Sequence, residues 1–391
     1  MTAHTAVIYL PGTAALDAAS LTVAGRPVVF RAIAGAVRAG ADRVLVPVAF
    51  RELLTPAFAS APRVTRAVEW TDATTPPPGD ALLIPATAVA GPGAITAVMA
   101  ARARATQAAV VHQAAREAGM PIVAASARFI DALWPLLAPG AAVGSALDDA
   151  LSAAAVTRVD DRSLVHAVHD ADSAKVGERR LYTTLGSAID TPFDTAFHRR
   201  FSRHVSRLAV ALGITPNTIT LASLLVGLMA TAILWRATPL QAAAGLVVYA
   251  IAVILDHADG EVARLTLTES AIGEWLDIVV DTVIHAGVVL ALGATSAAVT
   301  GQGIGLGIAA ALGIVASAVV MKIWPGLAMP DRLGAAIAGV GNRDGFYAML
   351  IGFILVHALR PDALPWLMIL VAAGAHAYWV GRVLYRLTRG A

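Results

Sequence analysis

The sequence predicts a two-part protein, in which a soluble α/β domain precedes an all-α membrane domain. Of the 391 residues, 57% are hydrophobic and 14% are charged, and the mean hydropathy of +0.69 is typical of membrane proteins. The second half contains six long apolar segments, each close to the length that spans a bilayer. The first half instead alternates short apolar runs with helix-like stretches, which is typical of a sheet flanked by helices.

Residues 1–155 are predicted to form the soluble α/β domain, with a mostly parallel sheet. Its elements are predicted in the order strand 5–10, helix 27–39, strand 43–49 and strand 81–86. The apolar run that begins the chain has no preceding basic region and is interrupted at Pro11, so the sequence predicts no secretory signal.

Residues 156–192 are richer in charge and are predicted to link the domains. The membrane domain, 193–391, is predicted to open with an amphipathic juxtamembrane helix over 193–212. Four arginines of that helix are expected to meet lipid headgroups: Arg199, Arg200, Arg203 and Arg207. The six membrane spans are predicted at 217–235, 239–257, 274–297, 302–324, 345–359 and 363–385.

The basic residues of the membrane domain predict its orientation. They precede the first span and follow the second, fourth and sixth, whereas the opposite loops carry few. By the positive-inside rule, both termini are cytoplasmic, and the chain is predicted to be a multi-pass protein of the cell (inner) membrane. The formal net charge of +2 is too small to suggest a nucleic-acid partner, and the absence of cysteine excludes disulfides and thiolate metal sites.

The most informative residues are four aspartates in the second and third spans. An aspartate at the bilayer centre costs roughly 2.5–3.5 kcal/mol, so intramembrane carboxylates mark a site. On each helix the polar and small residues share one face, by their spacing of three, four, seven and eight positions. The first helix carries Asp256, Asp259, Gly260, Ala263 and Arg264, and the second carries Asp277 and Asp281.

If these two helices pack side by side, the four carboxylates converge on a small volume. Like charges that close need divalent cations to neutralise them, and carboxylate oxygens suit Mg²⁺ or Mn²⁺. Two such ions would clamp the attacking and leaving oxygens of a phosphoryl displacement. Gly260 and Ala263 keep the helix surface low beside the carboxylates, which predicts a slot for a nucleobase or ribose.

The pattern D-x2-D-G-x2-A-R-x8-G-x3-D-x3-D resembles the signature of the CDP-alcohol phosphotransferases, and the chain matches all eight fixed positions. The upstream segment 214–220 is also similar to that family, and the resemblance covers about 175–391. It implies six membrane helices, a homodimer, two divalent metal ions, and transfer of a phospho-alcohol from a CDP-alcohol to a second hydroxyl with release of CMP. It also implies that Asp256, Asp259, Asp277 and Asp281 ligate the metals, with Asp281 as general base.

Further site residues are predicted beside the aspartates and at the cytoplasmic ends of the fourth and fifth spans. The nucleotide-binding residues are predicted to be Gly260, Ala263, Arg264, Thr220 and Gly273. A phosphorylated acceptor would be held by cationic side chains, above all by a planar arginine fork. The acceptor-binding residues are predicted to be Arg343, Arg332 and Lys322.

The first domain resembles sugar-nucleotide nucleotidyltransferases over residues 21–31. Those enzymes carry a glycine-rich loop with an arginine after the first strand, whereas Leu10 here is followed by one glycine and no basic residue. The metal-binding aspartate expected after strand 81–86 is replaced by Ala86 or Thr87. The domain is therefore predicted to be noncatalytic.

The preferred function is transfer from CDP-diacylglycerol to an acceptor hydroxyl in phospholipid biosynthesis. One alternative is a bifunctional or inositol-phosphate-lipid enzyme that uses CDP-inositol, because the fused architecture resembles enzymes that make and then use that nucleotide. An ion-coupled transporter is a more remote alternative, since intramembrane aspartates also line cation pathways. A third alternative is a scaffold whose soluble domain recruits a partner, but that role would not require metal-binding carboxylates.

Overall fold

The computed structural model describes residues 4–12, 14–72, 75–136, 143–186, 190–324 and 342–389. The chain divides into two compact units. The first unit comprises Met1–Leu185 with Leu265–Thr268, and the second comprises Gly186–Arg264 with Glu269–Ala391.

The first unit contains a seven-stranded mixed sheet in the order β10-β8-β9-β6-β1-β4-β5. Four of its six neighbouring pairs are parallel, and β9 runs antiparallel to both β6 and β8. The strands of the unit are β1 Thr5–Tyr9, β2 Thr22–Val23, β3 Arg26–Pro27, β4 Arg43–Pro47, β5 Val68–Thr71, β6 Ala81–Pro85, β7 Ala88–Ala90, β8 Ala109–His112, β9 Val123–Ala125, β10 Val156–Val159 and β11 Val165–Ala167.

The interior strand β1 packs apolar side chains on both faces of the sheet. Ala6 and Ile8 belong to one hydrophobic cluster, and Val7 and Tyr9 belong to another, because successive side chains of a strand point to opposite faces. Leu267 also lies in the first of these clusters. The helices of the unit are α1 Ala15–Ser20, α2 Val28–Arg38, α3 Arg51–Phe58, α4 Pro62–Ala67, α5 Pro92–Arg102, α6 Gln113–Glu117, α7 Ala127–Leu133, α8 Val143–Ala153 and α9 Ala171–Thr183, with short 3-10 helices at Val48–Phe50 and Trp134–Leu136.

The predicted α/β class of the first unit is confirmed. The strands and helix predicted from periodicity occur as β1, β4, β6 and α2, and the sheet is mixed but mostly parallel. The segment 156–192, which was expected to be a linker, contains β10, β11 and α9. Helix α9 begins where Asp170 accepts a hydrogen bond from the backbone N–H of Ser173 at 2.8 Å, which satisfies a free donor of the first turn.

The second unit is helical over its described residues. Ser270 caps α13 by accepting from the backbone N–H of Gly273 at 3.0 Å, and Thr215 caps α11 in the same way. The elements are a π-helix Asp194–His198, α10 Arg199–Ala211, α11 Pro216–Leu234, α12 Pro239–Thr266, α13 Ala271–Thr300, α14 Ile304–Ile323, α15 Arg343–Leu359, a 3-10 helix Pro361–Ala363 and α16 Leu364–Arg389.

Five helices among the described residues are long and apolar enough to cross a membrane. These candidate spans are Pro216–Leu234, Pro239–Thr266, Ala271–Thr300, Ile304–Ile323 and Pro361–Leu387. The remaining predicted span forms α15, whose 17 residues give a length of about 25 Å at 1.5 Å per residue. The predicted total of six is therefore not confirmed, and the structure supports five.

Helices α13 and α14 pack closely through glycines. A Cβ atom built on Gly293 would lie 2.6 Å from the Cα of Gly307, so a side chain at either position would separate the helices. This contact follows the use of small residues for close approach of membrane helices. It fixes the position of α13, which carries two of the four aspartates.

Candidate active site

Three of the four predicted metal-ligating aspartates come together. Asp256 and Asp259 lie on α12, Asp277 lies on α13, and the three side chains offer carboxylate oxygens that are all within 4.8 Å of one another. Asp259 is buried, whereas Asp256 and Asp277 are partly exposed. We call these three residues the carboxylate group. Their convergence is what the one-sided spacing on the two helices predicts.

Asp281 lies one helical turn beyond Asp277 on α13 and outside the carboxylate group. Its side chain is 41% exposed, and its Oδ1 is 3.9 Å from His285 Nδ1. His285 Nδ1 lies 2.7 Å from the Asp281 backbone carbonyl and Nε2 lies 2.9 Å from the hydroxyl of Tyr249. The Asp281 side chain is therefore more accessible than those of Asp256, which is 13% exposed, and the buried Asp259. Its predicted role as general base stays a prediction.

Thr220 supports Asp259 directly. Its buried hydroxyl donates a hydrogen bond to Asp259 Oδ2 at 2.5 Å. The residue lies one turn into α11, which begins at Pro216. The segment 214–220 that resembles the family thus supplies a side chain to a carboxylate of the site.

The other four predicted nucleotide-binding residues lie on the two helices of the carboxylate group, α12 and α13. A Cβ atom built on Gly260 would lie 3.2 Å from Arg264 Nη1, so the Arg264 guanidinium lies over the glycine. Ala263, which lies between these two residues in the sequence, is half-buried. Gly273 lies in the first turn of α13, where an added Cβ would lie 3.4 Å from Asn217 Oδ1. Gly260 and Gly273 are thus each close to a polar side chain.

The donor set of this site fits a hard divalent cation. It consists of three carboxylates and, beside Asp259, the Thr220 hydroxyl, and all four groups offer oxygen atoms. Oxygen donors suit Mg²⁺ or Mn²⁺, and the chain has no cysteine for a softer metal.

Residues 213–379 match the family model of CDP-alcohol phosphatidyltransferases. This part of the chain belongs to that family. The match includes both helices of the carboxylate group and the first turn of α15. Together with the five apolar helices, it identifies a membrane transferase of the phosphatidyltransferase class. The match does not extend to residues 1–185, and no curated protein matches the chain.

The phosphatidyltransferase domain places one predicted acceptor residue at the carboxylate group. Arg343, in the first turn of α15, lies with Nη2 2.9 Å from Asp256 Oδ2. Lys322, near the end of α14, instead forms an ion pair with Glu274 at 2.6 Å and lies over the ring of Trp275. Arg332 lies outside the described residues.

A second polar cluster adjoins the carboxylate group, and the sequence did not indicate it. Asp194, His198 and His257 are all buried, and their ligand atoms lie within 4.8 Å of one another. Burial alone would raise the pKa of the Asp194 carboxyl, but hydrogen bonds from the two histidines and the backbone N–H of Thr191 hold that pKa well below its usual range. Asp194 is therefore an ionised carboxylate that accepts hydrogen bonds inside the domain.

A buried ion pair joins α10 to α12. Glu261 is fully buried and accepts from Arg199 Nη1 at 2.9 Å, Ser202 Oγ at 2.7 Å and Ser206 Oγ at 2.6 Å. Arg199 also donates two hydrogen bonds to Asp190, at 2.9 and 2.7 Å. Burial lowers the pKa of the Arg199 guanidinium, but these carboxylate hydrogen bonds outweigh it and the net shift is upward.

This arrangement corrects the expectation that Arg199 meets lipid headgroups. Arg200 and Arg207 on the same helix are exposed, but Arg199 lies on the buried stripe with Ser202 and Ser206. Arg199 lies three and seven positions before Ser202 and Ser206, so helical spacing places it on the same face as these two serines. The identity of the partner, Glu261, was not visible, because it lies 62 residues further along the chain.

Proposed function

We propose that the phosphatidyltransferase domain transfers a phospho-alcohol group from a CDP-alcohol to an acceptor hydroxyl and releases CMP. The observation that carries the proposal is the convergence of Asp256, Asp259 and Asp277 within 4.8 Å on two helices of a domain that belongs to this family. We further propose CDP-diacylglycerol as the donor, which places the reaction in phospholipid biosynthesis.

The four aspartates would hold two divalent ions, Mg²⁺ or Mn²⁺. When bound, the ions would neutralise the negative charge of the CDP pyrophosphate and of the group that leaves. Thr220 supports this role, because its hydrogen bond to Asp259 orients one of the ligand carboxylates. Asp281 completes the predicted ligand set from the next turn of α13.

The nucleotide would lie along α12, where Gly260 has no side chain of its own and Ala263 has only a methyl group. Arg264, whose guanidinium lies over Gly260, is placed to pair with a phosphate of the donor. Thr220 and Gly273 border this surface from α11 and α13.

Asp281 would act as general base. Its carboxylate takes the proton of the acceptor hydroxyl, and the hydroxyl oxygen forms a bond to the phosphorus on the alcohol side of the pyrophosphate. The bond from that phosphorus to the bridging oxygen breaks, and CMP leaves with that oxygen. The 41% exposure of the Asp281 side chain leaves it accessible to an acceptor, unlike the buried Asp259.

The carboxylate group would face the cytoplasm from the cell inner membrane, with both termini on the same side, as the positions of the basic loops predict. The working form would be a homodimer. Membrane lipid would supply the donor, and no nucleic acid takes part.

The decisive experiment gives purified protein CDP-diacylglycerol, or CDP-inositol, with glycerol 3-phosphate, an inositol phosphate or serine as acceptor. Release of CMP and the mass of the lipid product are then measured. CMP release that requires an acceptor supports the proposal and identifies the substrates. An ion-coupled transporter would release no CMP from any of these mixtures, which would refute the transferase reaction.

Arg343 is proposed to bind a phosphorylated acceptor. Its guanidinium lies 2.9 Å from a carboxylate of the site, its side chain is 21% exposed, and a planar fork suits a phosphate. We expect Arg343→Ala to raise the Michaelis constant for the acceptor about tenfold or more, since hydrogen bonds to charged groups contribute about 1.5–3 kcal/mol. The Michaelis constant for the donor should stay unchanged. Lys322 and Arg332 are retained as weaker acceptor contacts.

Arg360 offers the matched control for this measurement. It lies at the other end of α15, and its side chain is 76% exposed beside Asp362. Arg360→Ala should leave both Michaelis constants unchanged. If Arg343→Ala gives wild-type values for both substrates, Arg343 does not bind the acceptor.

The first unit is proposed to have no nucleotidyltransferase activity, because the predicted triphosphate loop lacks a basic residue and the predicted metal-ligand position holds Ala86 or Thr87. We expect the full chain to form no pyrophosphate from CTP and a sugar or polyol phosphate. A coupled phosphate-release assay with Mg²⁺ or Mn²⁺ measures this. Pyrophosphate formation that depends on both CTP and the phosphorylated polyol would make the protein bifunctional.

A further inference from the structure

A chain of hydrogen bonds connects the π-helix before α10 to the start of α15. His198 Nδ1 lies 2.9 Å from Asp194 Oδ1, and His198 Nε2 lies 2.9 Å from the hydroxyl of Tyr347. A carboxylate only accepts, so Nδ1 donates to Asp194, and a neutral ring accepts the Tyr347 hydrogen at Nε2. The exposed fractions of these residues are 1%, 0% and 7%, so water does not compete for the bonds. We call Asp194, His198 and Tyr347 the relay.

Thr191, just before the π-helix, also binds a side chain in the first turn of α15. The hydroxyl of Thr191 donates to the carboxylate of Asp344, and the backbone N–H of Thr191 donates to Asp194 Oδ2 at 3.0 Å. The relay begins in a π-helix, Asp194–His198, and π-helical turns are rare and frequently occur at functional sites. The first turn of α15 is therefore oriented by several side-chain bonds from one short segment.

Arg343 lies where the relay meets the carboxylate group. Its Nη1 is 3.5 Å from Asp194 Oδ1 and 3.0 Å from His257 Nε2, while its Nη2 is 2.9 Å from Asp256 Oδ2. One guanidinium is thus held between a carboxylate of the relay and a carboxylate of the site. A change in Asp194 would move or release the fork that faces Asp256.

The side chains of Asp194, His198 and His257 also have the residue types of a metal site. Asp194 Oδ1 is already bonded to His198 Nδ1, however, His198 Nε2 is bonded to the Tyr347 hydroxyl, and His257 is bonded to Arg343. Each atom of the set already has a hydrogen-bonding partner in the relay or in Arg343. The contacts therefore favour hydrogen bonding over metal binding.

We propose that Asp194, His198 and Tyr347 are positioning residues that orient Arg343 for the phosphorylated acceptor. The inference rests on the proposed role of Arg343 in the transferase reaction and adds three residues to it. None of the three touches the reacting atoms. They act by orienting the Arg343 guanidinium, so substituting them changes the Michaelis constant for the acceptor.

The test compares full-length wild type with Asp194→Asn and Tyr347→Phe in steady-state assays with CDP-diacylglycerol and glycerol 3-phosphate or an inositol phosphate. We expect the acceptor Michaelis constant to rise about tenfold in Asp194→Asn and about threefold in Tyr347→Phe, since a charged hydrogen bond contributes more than a neutral one. The donor Michaelis constant should stay unchanged. In an Arg343→Ala background, Asp194→Asn should add less than about twofold, because the two residues act through one contact.

Thr195 provides the matched control. It is exposed in the same π-helix, and its hydroxyl donates to the backbone carbonyl of Thr191 at 3.1 Å. Thr195→Ala should give wild-type kinetics. Thermal melting in detergent checks that each variant is folded, and Tyr347→Phe, which keeps the ring, remains informative if Asp194→Asn unfolds.

The outcomes separate the relay from the proposed function. If the Michaelis constants for the acceptor are unchanged in folded Asp194→Asn and Tyr347→Phe, the positioning role of the relay is wrong. CMP release by wild type would still support the transferase reaction. An Asp194→Asn effect of equal size with and without Arg343 also overturns the positioning role, because the residue then acts elsewhere. A bound metal ion, measured in the purified protein, that is lost in Asp194→Asn would replace the relay by a metal site. Absence of CMP release by wild type would refute the transferase itself.

Discussion

Asp277→Asn is expected to lower turnover at least about 100-fold while the protein still inserts in the membrane. Asparagine has nearly the same shape as aspartate but no charge, so the change removes a proposed metal ligand with little effect on packing. Loss of a ligand to a catalytic metal removes several kcal/mol of charge stabilisation, and each 1.36 kcal/mol is a factor of ten in rate. The measurement is the initial rate of CMP release by purified wild type and variant at saturating substrate.

Two controls make this result specific. Asp362→Asn removes a carboxylate that is 71% exposed beside Arg360, outside the carboxylate group, and should leave the rate unchanged. EDTA should abolish wild-type activity, and added Mg²⁺ or Mn²⁺ should restore it, because ligation by carboxylates is reversible. An Asp277→Asn enzyme that keeps more than about a tenth of its activity would contradict direct ligation.

The carboxylate group was predictable because its geometry is local. Asp256 and Asp259 are one turn apart on α12, so periodicity alone places them on one face, and Asp277 and Asp281 are related in the same way on α13. A short connection then brings the two faces together. The α/β class of the first unit was predictable for a similar reason, since β1, β4, β6 and α2 each carry their own apolar pattern.

The buried polar contacts were not predictable, because they join elements that are distant in sequence. Asp194 and Arg343 are 149 residues apart, and Arg199 and Glu261 are 62 residues apart. Periodicity shows which side of a helix is polar but not which side chain of another helix it meets. An arginine on a surface helix therefore predicted lipid headgroups, whereas Arg199 is paired inside the domain.

The number of spans shows a different limit. The apolar run 345–359 was counted as a span on hydropathy, and its helix α15 extends over only 17 residues. Its first five residues include Arg343, Asp344 and Tyr347, whose side chains are engaged by polar groups. Hydropathy averages over such a segment and does not register that its polar residues belong to a site.

Glu261→Ala is expected to lower the free energy of unfolding by about 3 kcal/mol. The change leaves the buried Arg199 with one carboxylate partner instead of two, and leaves Ser202 and Ser206 without their acceptor. Removing one member of a buried ion pair costs about 3–5 kcal/mol, and the retained bonds from Arg199 to Asp190 place this case at the low end. Thermal or denaturant unfolding of the detergent-solubilised protein measures the loss.

The matched control and a triple substitution show whether burial is the cause. Glu274→Ala removes a carboxylate that is 65% exposed and paired with Lys322, and exposed pairs contribute only about 0–1 kcal/mol, so its melting temperature should barely change. The triple variant Arg199→Met, Glu261→Met and Asp190→Asn removes all three charges of this cluster, and it should be more stable than Glu261→Ala because no charge of the cluster is left without its partner within it. If Glu261→Ala melts like Glu274→Ala, the ion pair does not hold α10 to α12, and the serine contacts and apolar packing of α10 are sufficient.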